Sequence, residues 1–383
     1  MTLRLKSNLK KEGLVLALLL LILSCGGGQT ASRKGEGDTV IFKYATQLSV
    51  VRYDGYAVAT IKNPWNVSKI LHQYVLVPEG KEIPSGLPHS TVIRTPLKRS
   101  MIFSTVHCAM LMDMGKEDCI AGVADLKYIK IPWIQEQVKA GRMADVGDGL
   151  SPVVEKIIDQ RPDALFMSPF ENSGGYGKLE EIDIPIVECA EYMEPSPLAR
   201  AEWIRFYGML FGCEQKADSL FQVTDSSYNA LKALVSHPEY ATKPSTLVDK
   251  ITGSVWYVPG GRSSIGQMLQ DAGARYPWAN NENSGSVALS FETVLEKASD
   301  ADVWLFRYSS DHPMTYDELR QEHHGYEQFR AFRERQVYGC NVELSTFYEE
   351  TPFHPDWLLN DFIRILHQEI EGLAPLRYYH QLK

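Results

Sequence analysis

Positive charge is in short supply in this chain. Its 383 residues carry 39 lysines and arginines against 48 aspartates and glutamates, a formal net charge of −9. That balance argues against a nucleic-acid binder and against broad adhesion to an anionic membrane. Cysteine is scarce too, at six residues, and no C-x-x-C spacing points to zinc or redox chemistry. Cys108, Cys119, Cys189, Cys213 and Cys340 stand mostly in apolar stretches and read as buried free thiols. The chain lacks a G-x-S-x-G elbow, a P-loop lysine signature and an H-E-x-x-H helix. The run from Ser173 to Lys178 is rich in glycine, but Leu179 follows where a phosphate loop needs Ser or Thr, so it reads as a flexible loop. Apolar residues are not lacking: at 44% of the chain they exclude wholesale disorder.

The first 25 residues have their own grammar. Arg4, Lys6, Lys10 and Lys11 precede an apolar run over 14–23, too short to span a bilayer comfortably, which ends in Ser24-Cys25. A secretory signal ending in a small residue and cysteine resembles a bacterial lipobox, which makes Cys25 the expected lipidated N-terminus. Residues 26–39 open on Gly26-Gly27-Gly28 and read as a flexible tether.

A chain of 383 residues suggests two domains. Residues 40–61 and 74–77 alternate apolar and polar, the mark of an antiparallel preface. Short apolar runs at 101–106, 120–124, 164–169 and 184–189 then alternate with helical patterns at 107–114, 133–140 and 153–160. This is the rhythm of βαβ units and a mainly parallel sheet. The scheme returns with strands at 246–251, 255–258, 303–308 and 336–340, and helices at 265–272, 291–298, 326–335 and 356–370. Between the halves, 214–237 keeps a helical period without Pro or Gly until Pro238. The expected α/β organisation is a lobe over 40–213, a bridging helix over 214–238 and a lobe over 239–383. Glu155-Lys156-Ile157-Ile158 and Glu292-Thr293-Val294-Leu295 fall at corresponding places, each preceded by a serine, Ser151 or Ser290, expected as helix N-cap.

Several stretches carry a resemblance. They are Val146-Gly147-Asp148, Ser151 to Ile157, Arg161-Pro162-Asp163-Ala164-Leu165, Ile184 to Val187, Ala201-Glu202-Trp203-Ile204 and Gly212 to Ala217. Val258-Pro259-Gly260-Gly261-Arg262 and Leu289-Ser290-Phe291-Glu292 add to them. Together they resemble the class III periplasmic binding proteins, which serve ABC importers of ferric siderophores, haem and cobalamin. The resemblance covers essentially the whole mature chain. It implies two Rossmann-like lobes bridged by a single long helix, with ligand in the cleft between them. It implies a carrier rather than an enzyme, monomeric, with no cofactor of its own. Its partners are an importer permease with its ATPase and a small metal chelate, and its place is the periplasm or cell envelope, held to a bacterial membrane by lipid. Glu155 and Glu292 match the family's permease-docking glutamates.

Loops after the strands supply the candidate cleft. The first lobe offers His107, Asp125, Tyr128, Phe170, Glu171, Tyr176 and Tyr192. The second offers Trp256, Tyr257, Arg262, Arg307, Tyr308, Phe347, Tyr348 and Phe353. Flat apolar walls with a few cations suit a planar or chelate ligand bearing carboxylate or catecholate groups. His107 could ligate iron or contact a carboxylate, and equally fits as a packed first-turn histidine; His323-His324 reads as a solvated pair. The expected cargo is an iron chelate, haem or a corrinoid. A free transition-metal carrier and a periplasmic enzyme acting on a tetrapyrrole or metal chelate are the alternatives.

Overall fold

Leu48–Tyr53 and Tyr56–Lys62 alternate buried and exposed side chains around the two-residue turn Asp54-Gly55. Gly55 takes φ 82°, the left-handed conformation that lets so short a hairpin close. In the computed structural model, which describes residues 37–66, 68–86, 90–171, 175–240 and 242–383, these runs are β2 and β3 of a five-stranded sheet. The sheet runs β1 (Asp38–Val40), β2, β3, β4 (Ile70–Pro78), β5 (Thr91–Thr95), antiparallel except for the parallel β4–β5 pair. Cys25, residues 1–25, most of the tether, and Ser173 and Gly174 of the glycine-rich loop lie outside the described residues.

The strands that follow are β6 (Ser100–Ile102), β7 (Ile120–Val123), β8 (Ala144–Asp145), β9 (Gly147–Asp148), β10 (Ser151–Pro152), β11 (Ala164–Met167) and β12 (Ile186–Glu188). Five of them form a parallel sheet in the order β12-β11-β6-β7-β8. β11 shows why its sequence reads as a continuous apolar run: Ala164 and Phe166 enter the core on one face, Leu165 and Met167 the core on the other. Helices α1 (Thr105–Asp113), α2 (Pro132–Lys139) and α3 (Val154–Gln160) cover it. Ser151 is not the cap of α3. It pairs with Asp148 in the β9–β10 ladder, and Val153 takes the N-cap position without a side-chain bond.

β12 lies at the rim of this sheet, so the backbone groups of Ile186 and Glu188 need partners from outside it. Tyr74 of β4 supplies them: its hydroxyl donates to the Ile186 carbonyl at 3.0 Å and accepts the Glu188 N–H at 2.8 Å. One phenol thus does for two groups what a further strand would do.

Two short helices, α4 (Pro197–Glu202) and α5 (Ile204–Leu210), lead into α6 (Glu214–Val235). α6 has 22 residues and is about 33 Å long. Ala217 and Phe221 on its first half belong to the N-terminal core, and Tyr228 and Val235 on its second half to the C-terminal core. The helix therefore bridges two lobes by burying a different stretch in each.

Beyond it come β13 (Thr246–Val248), β14 (Ile251–Thr252), β15 (Val255–Pro259), β16 (Ser286–Leu289), β17 (Val303–Tyr308), β18 (Val337–Asn341) and β19 (Tyr379–Gln381). β13-β17-β18-β19 form one sheet, parallel until β19, and β14-β15-β16 a separate antiparallel one. The single strand expected over 246–251 is cut at Asp249, whose left-handed φ of 60° turns the chain between β13 and β14. α7 (Ser264–Asp271) and α8 (Phe291–Ala298) fall where the periodicity places them, and Ser290 caps α8 by accepting the Thr293 N–H at 3.2 Å. The helix expected over 326–335 is broken into a 3-10 turn, His324–Gln328, and the single turn Arg330–Arg333.

The lobes also meet directly. α9 (Phe347–Glu350) lies on α1, where Glu349 accepts from the Thr105 hydroxyl at 3.1 Å. Next to it Phe353 leaves its own lobe and enters the N-terminal core, 6.1 Å from the Tyr207 ring centroid. α10 (Pro355–Leu366) then packs along α6.

Candidate functional site

Residues in the segments after β6, β7 and β18, namely Thr105, Lys130, Glu343 and Glu349, meet across the lobes. Segments after the strands are where open α/β sheets bind ligands. The crossing is marked by Lys130 of the first lobe, whose ammonium pairs with Glu343 just after β18. The N-terminal lobe carries a groove of about 660 Å³. Its walls are largely apolar, with Phe103, Leu150, Pro152, Val154, Met167, Phe170 and Leu179, and Leu150 is 85% exposed. Asp125 enters the groove directly after β7, held at a left-handed φ of 53°. The chain must pass close to its carboxylate: a Cβ on Gly149 would stand 2.5 Å from Oδ2. Tyr176 and Lys178 complete the lining, and the Tyr176 hydroxyl donates to Glu188. Burial pushes the Glu188 carboxyl up, against the pull of that hydrogen bond.

The C-terminal lobe contributes a pocket of about 370 Å³, and it is polar. Arg307, near the end of β17, donates Nε and Nη2 to the two oxygens of Asp249 at 3.1 and 2.8 Å. Burial works against the guanidinium charge, but Asp249 outweighs it and raises the Arg307 pKa. Lys250 pairs with Glu322 beside it. Tyr257 and Tyr348 stand half exposed at the mouth, and Tyr308 is buried, its hydroxyl bonded to His380 and accepting the Met314 N–H.

The residues singled out by sequence divide accordingly. Asp125 and Phe170 line the groove; Arg307, Tyr308 and Tyr348 line the pocket. Tyr128 is exposed next to the groove under the ammonium of Lys127, and Glu171 is exposed beside Phe170. Tyr192 spends its hydroxyl on the Pro169 carbonyl. Arg262 is exposed, pairs with Glu282 and lines neither cavity. Glu155 and Glu292 are exposed in the first turns of α3 and α8, and the backbone and Ser290 hold the Glu292 carboxyl below its usual range.

Burial takes Trp256 and Phe353 away from the cleft and leaves His107 as the packed first-turn histidine that the sequence equally allowed. Trp256 is sealed in the C-terminal core with its indole N–H on the Val248 carbonyl, and Phe353 is the knob in the N-terminal core. His107 is buried, its Nε2 3.1 Å from Glu191. None of the three presents a surface to a ligand. Sequence reading missed Leu150, Met167, Lys250, Glu322 and the Lys130–Glu343 crossing. Lys250 carries a signal in hindsight, at the end of an apolar run; the crossing joins residues 213 apart and has no local signature.

Among the described residues His107, Cys189 and Glu191 form a group with metal-ligating atoms within 4.8 Å of one another. The group is buried, Glu191 already accepts from Tyr207 at 2.8 Å, and Arg200 sets a positive charge beside it. The arrangement is a buried hydrogen-bonded network centred on Glu191, in which His107 Nδ1 and Arg200 Nε have no hydrogen-bond partner among the described residues.

The family described as periplasmic binding protein matches residues 108–344, so the β1–β5 sheet precedes the matched region. An uncharacterized lipoprotein of Methanocaldococcus jannaschii is 26% identical over 355 residues, 86% of this chain and 83% of that one. A periplasmic heme binding protein from Pseudomonas aeruginosa superposes with a TM-score of 0.58 at 15% identity, covering 75% of this chain and 98% of that one. For the periplasmic vitamin B12 binding protein of Vibrio cholerae the TM-score is 0.54 at 12% identity, with 72% and 99% covered.

Proposed function

Because the chain belongs to the periplasmic binding protein family, whose members are substrate-binding proteins and not enzymes, we propose that it captures an iron chelate, haem or a cobalamin-type corrinoid outside the cytoplasm and hands it to an ABC importer. The observation that carries this reading is the pair of cavities, an apolar groove on the N-terminal lobe and a polar pocket on the C-terminal lobe. Such a pair suits a bulky ligand with an apolar body and a polar rim. The names of the haem- and B12-binding neighbours support the same class of cargo. A bare transition metal is less well served, since neither cavity is lined by His or Cys among the described residues.

Within this reading, Cys25 carries the lipid anchor, in keeping with the lipoprotein name of the archaeal relative. Glu155 and Glu292 are the permease contacts, one on each lobe. Retention of the wild type, but not of Cys25→Ala, in the detergent phase checks the anchor. The cargo is tested by tryptophan-quenching titration of the purified protein with haem, cyanocobalamin and several ferric siderophores. Saturable micromolar or tighter binding of at least one, recovered unchanged after denaturation, is expected. Chemical turnover of the bound molecule, or binding of none, would overturn the proposal.

A further inference from the structure

Three of the cations about the cleft are held by carboxylates. Arg307 holds Asp249 through two N–H donors, Lys250 holds Glu322, and Lys130 at the crossing holds Glu343. In the groove, Lys178 is matched in number by Asp125. Over both cavities three cations stand against three carboxylates, within a chain whose formal net charge is −9. An anionic group approaching Arg307 would have to displace Asp249, leaving a half-buried carboxylate without its partner. A polyanionic ligand would also meet a repulsive field over the whole molecule. The rest of the groove offers apolar contact through Leu150, Met167 and Phe170.

We infer that the cleft selects a cargo with no net charge, a neutral metal chelate or corrinoid that turns its apolar face to the N-terminal groove, and selects against polyanionic complexes such as ferric tris-catecholates. This rests on the cleft being the binding site, and it reverses the sequence-based expectation that Arg262 and Arg307 await carboxylate or catecholate groups. Selection here works through internal pairing: the pocket's cations are held by carboxylates, and only Lys178 among the described lining cations is outside an ion pair, so little positive charge is left to attract an anion.

The test is isothermal calorimetry on the full protein with three probes: a neutral ferric tris-hydroxamate, cyanocobalamin, and a ferric tris-catecholate of charge −3. At least one neutral probe should bind about a hundredfold more tightly than the catecholate, with a Kd that hardly changes between low and high salt. Glu322→Gln, which releases Lys250, should raise the catecholate-to-neutral affinity ratio about tenfold, an effect that salt removes. A catecholate bound as tightly as the neutral probes by the wild type overturns the charge inference and leaves the carrier reading standing. A ratio unmoved by Glu322→Gln in a variant that still binds a neutral probe also counts against it. Failure of all three probes to bind a folded protein overturns the inference, and if haem also fails to bind, the carrier reading falls with it.

Discussion

Glu191 shows how far one side chain can lean on its neighbours. It is buried among His107, Arg200 and Tyr207. Burial alone would raise its pKa, but His107, then Arg200 and the Tyr207 hydroxyl, bring it down from 4.5 to about 2. A carboxylate lowered on folding contributes stability that is present above its unfolded pKa and lost as the pH falls through the folded one. On the order of 3 kcal/mol should therefore disappear between about pH 5 and pH 2. Urea unfolding across that range should show a steeper loss for the wild type than for Glu191→Gln, and parallel losses would assign the acid sensitivity elsewhere. The same scale explains why site residues were only partly legible. Arg307 shows in the sequence as a cation at a strand end, but the Asp249 that neutralises it lies 58 residues away. Trp256 sits in a strand whose alternation does not say which face is buried, and the antiparallel pairing of β15 decides it.

At the scale of elements, local chemistry was a better guide. α6 was legible because nothing in its sequence interrupts the helical period, and α8 because Ser290 caps it. Ser151 misled for a physical reason: Gly147 and Pro152 pair across a tight turn, which withdraws the serine from the helix entrance. The 326–335 stretch keeps a helical pattern, yet Phe329 takes an extended conformation and divides it. α3 and α8 still present Glu155 and Glu292 alike, each solvent-exposed one residue into its helix. Reversing both to lysine should abolish co-purification with the permease while shifting cargo Kd less than threefold. Undiminished permease capture would reduce both residues to favourable helix-start carboxylates.

Across the whole molecule, the two lobes are tied together by the unbroken α6, the Lys130–Glu343 crossing, the Thr105–Glu349 and His354–Asp113 contacts and the Phe353 knob, among others. Hinges that open widely need loop residues to absorb the motion, and here the bridge is a helix without internal glycine or proline. Small-angle scattering should therefore show little change in radius of gyration on ligand binding. Phe353→Ala should cost about 3–5 kcal/mol and widen the unliganded envelope, as the lost knob leaves a cavity in the N-terminal core and frees the segment that carried it. A large contraction of the wild type on binding would refute the stiff-bridge account. The knob has a further consequence. The second half of α6 lends Tyr228 and Val235 to the interior of the C-terminal lobe, and Phe353 returns the exchange by lying in the interior of the first. Cut after α6, the chain would yield two fragments that each lack part of their own centre, so neither should fold alone, while an equimolar mixture should reassemble into the native particle.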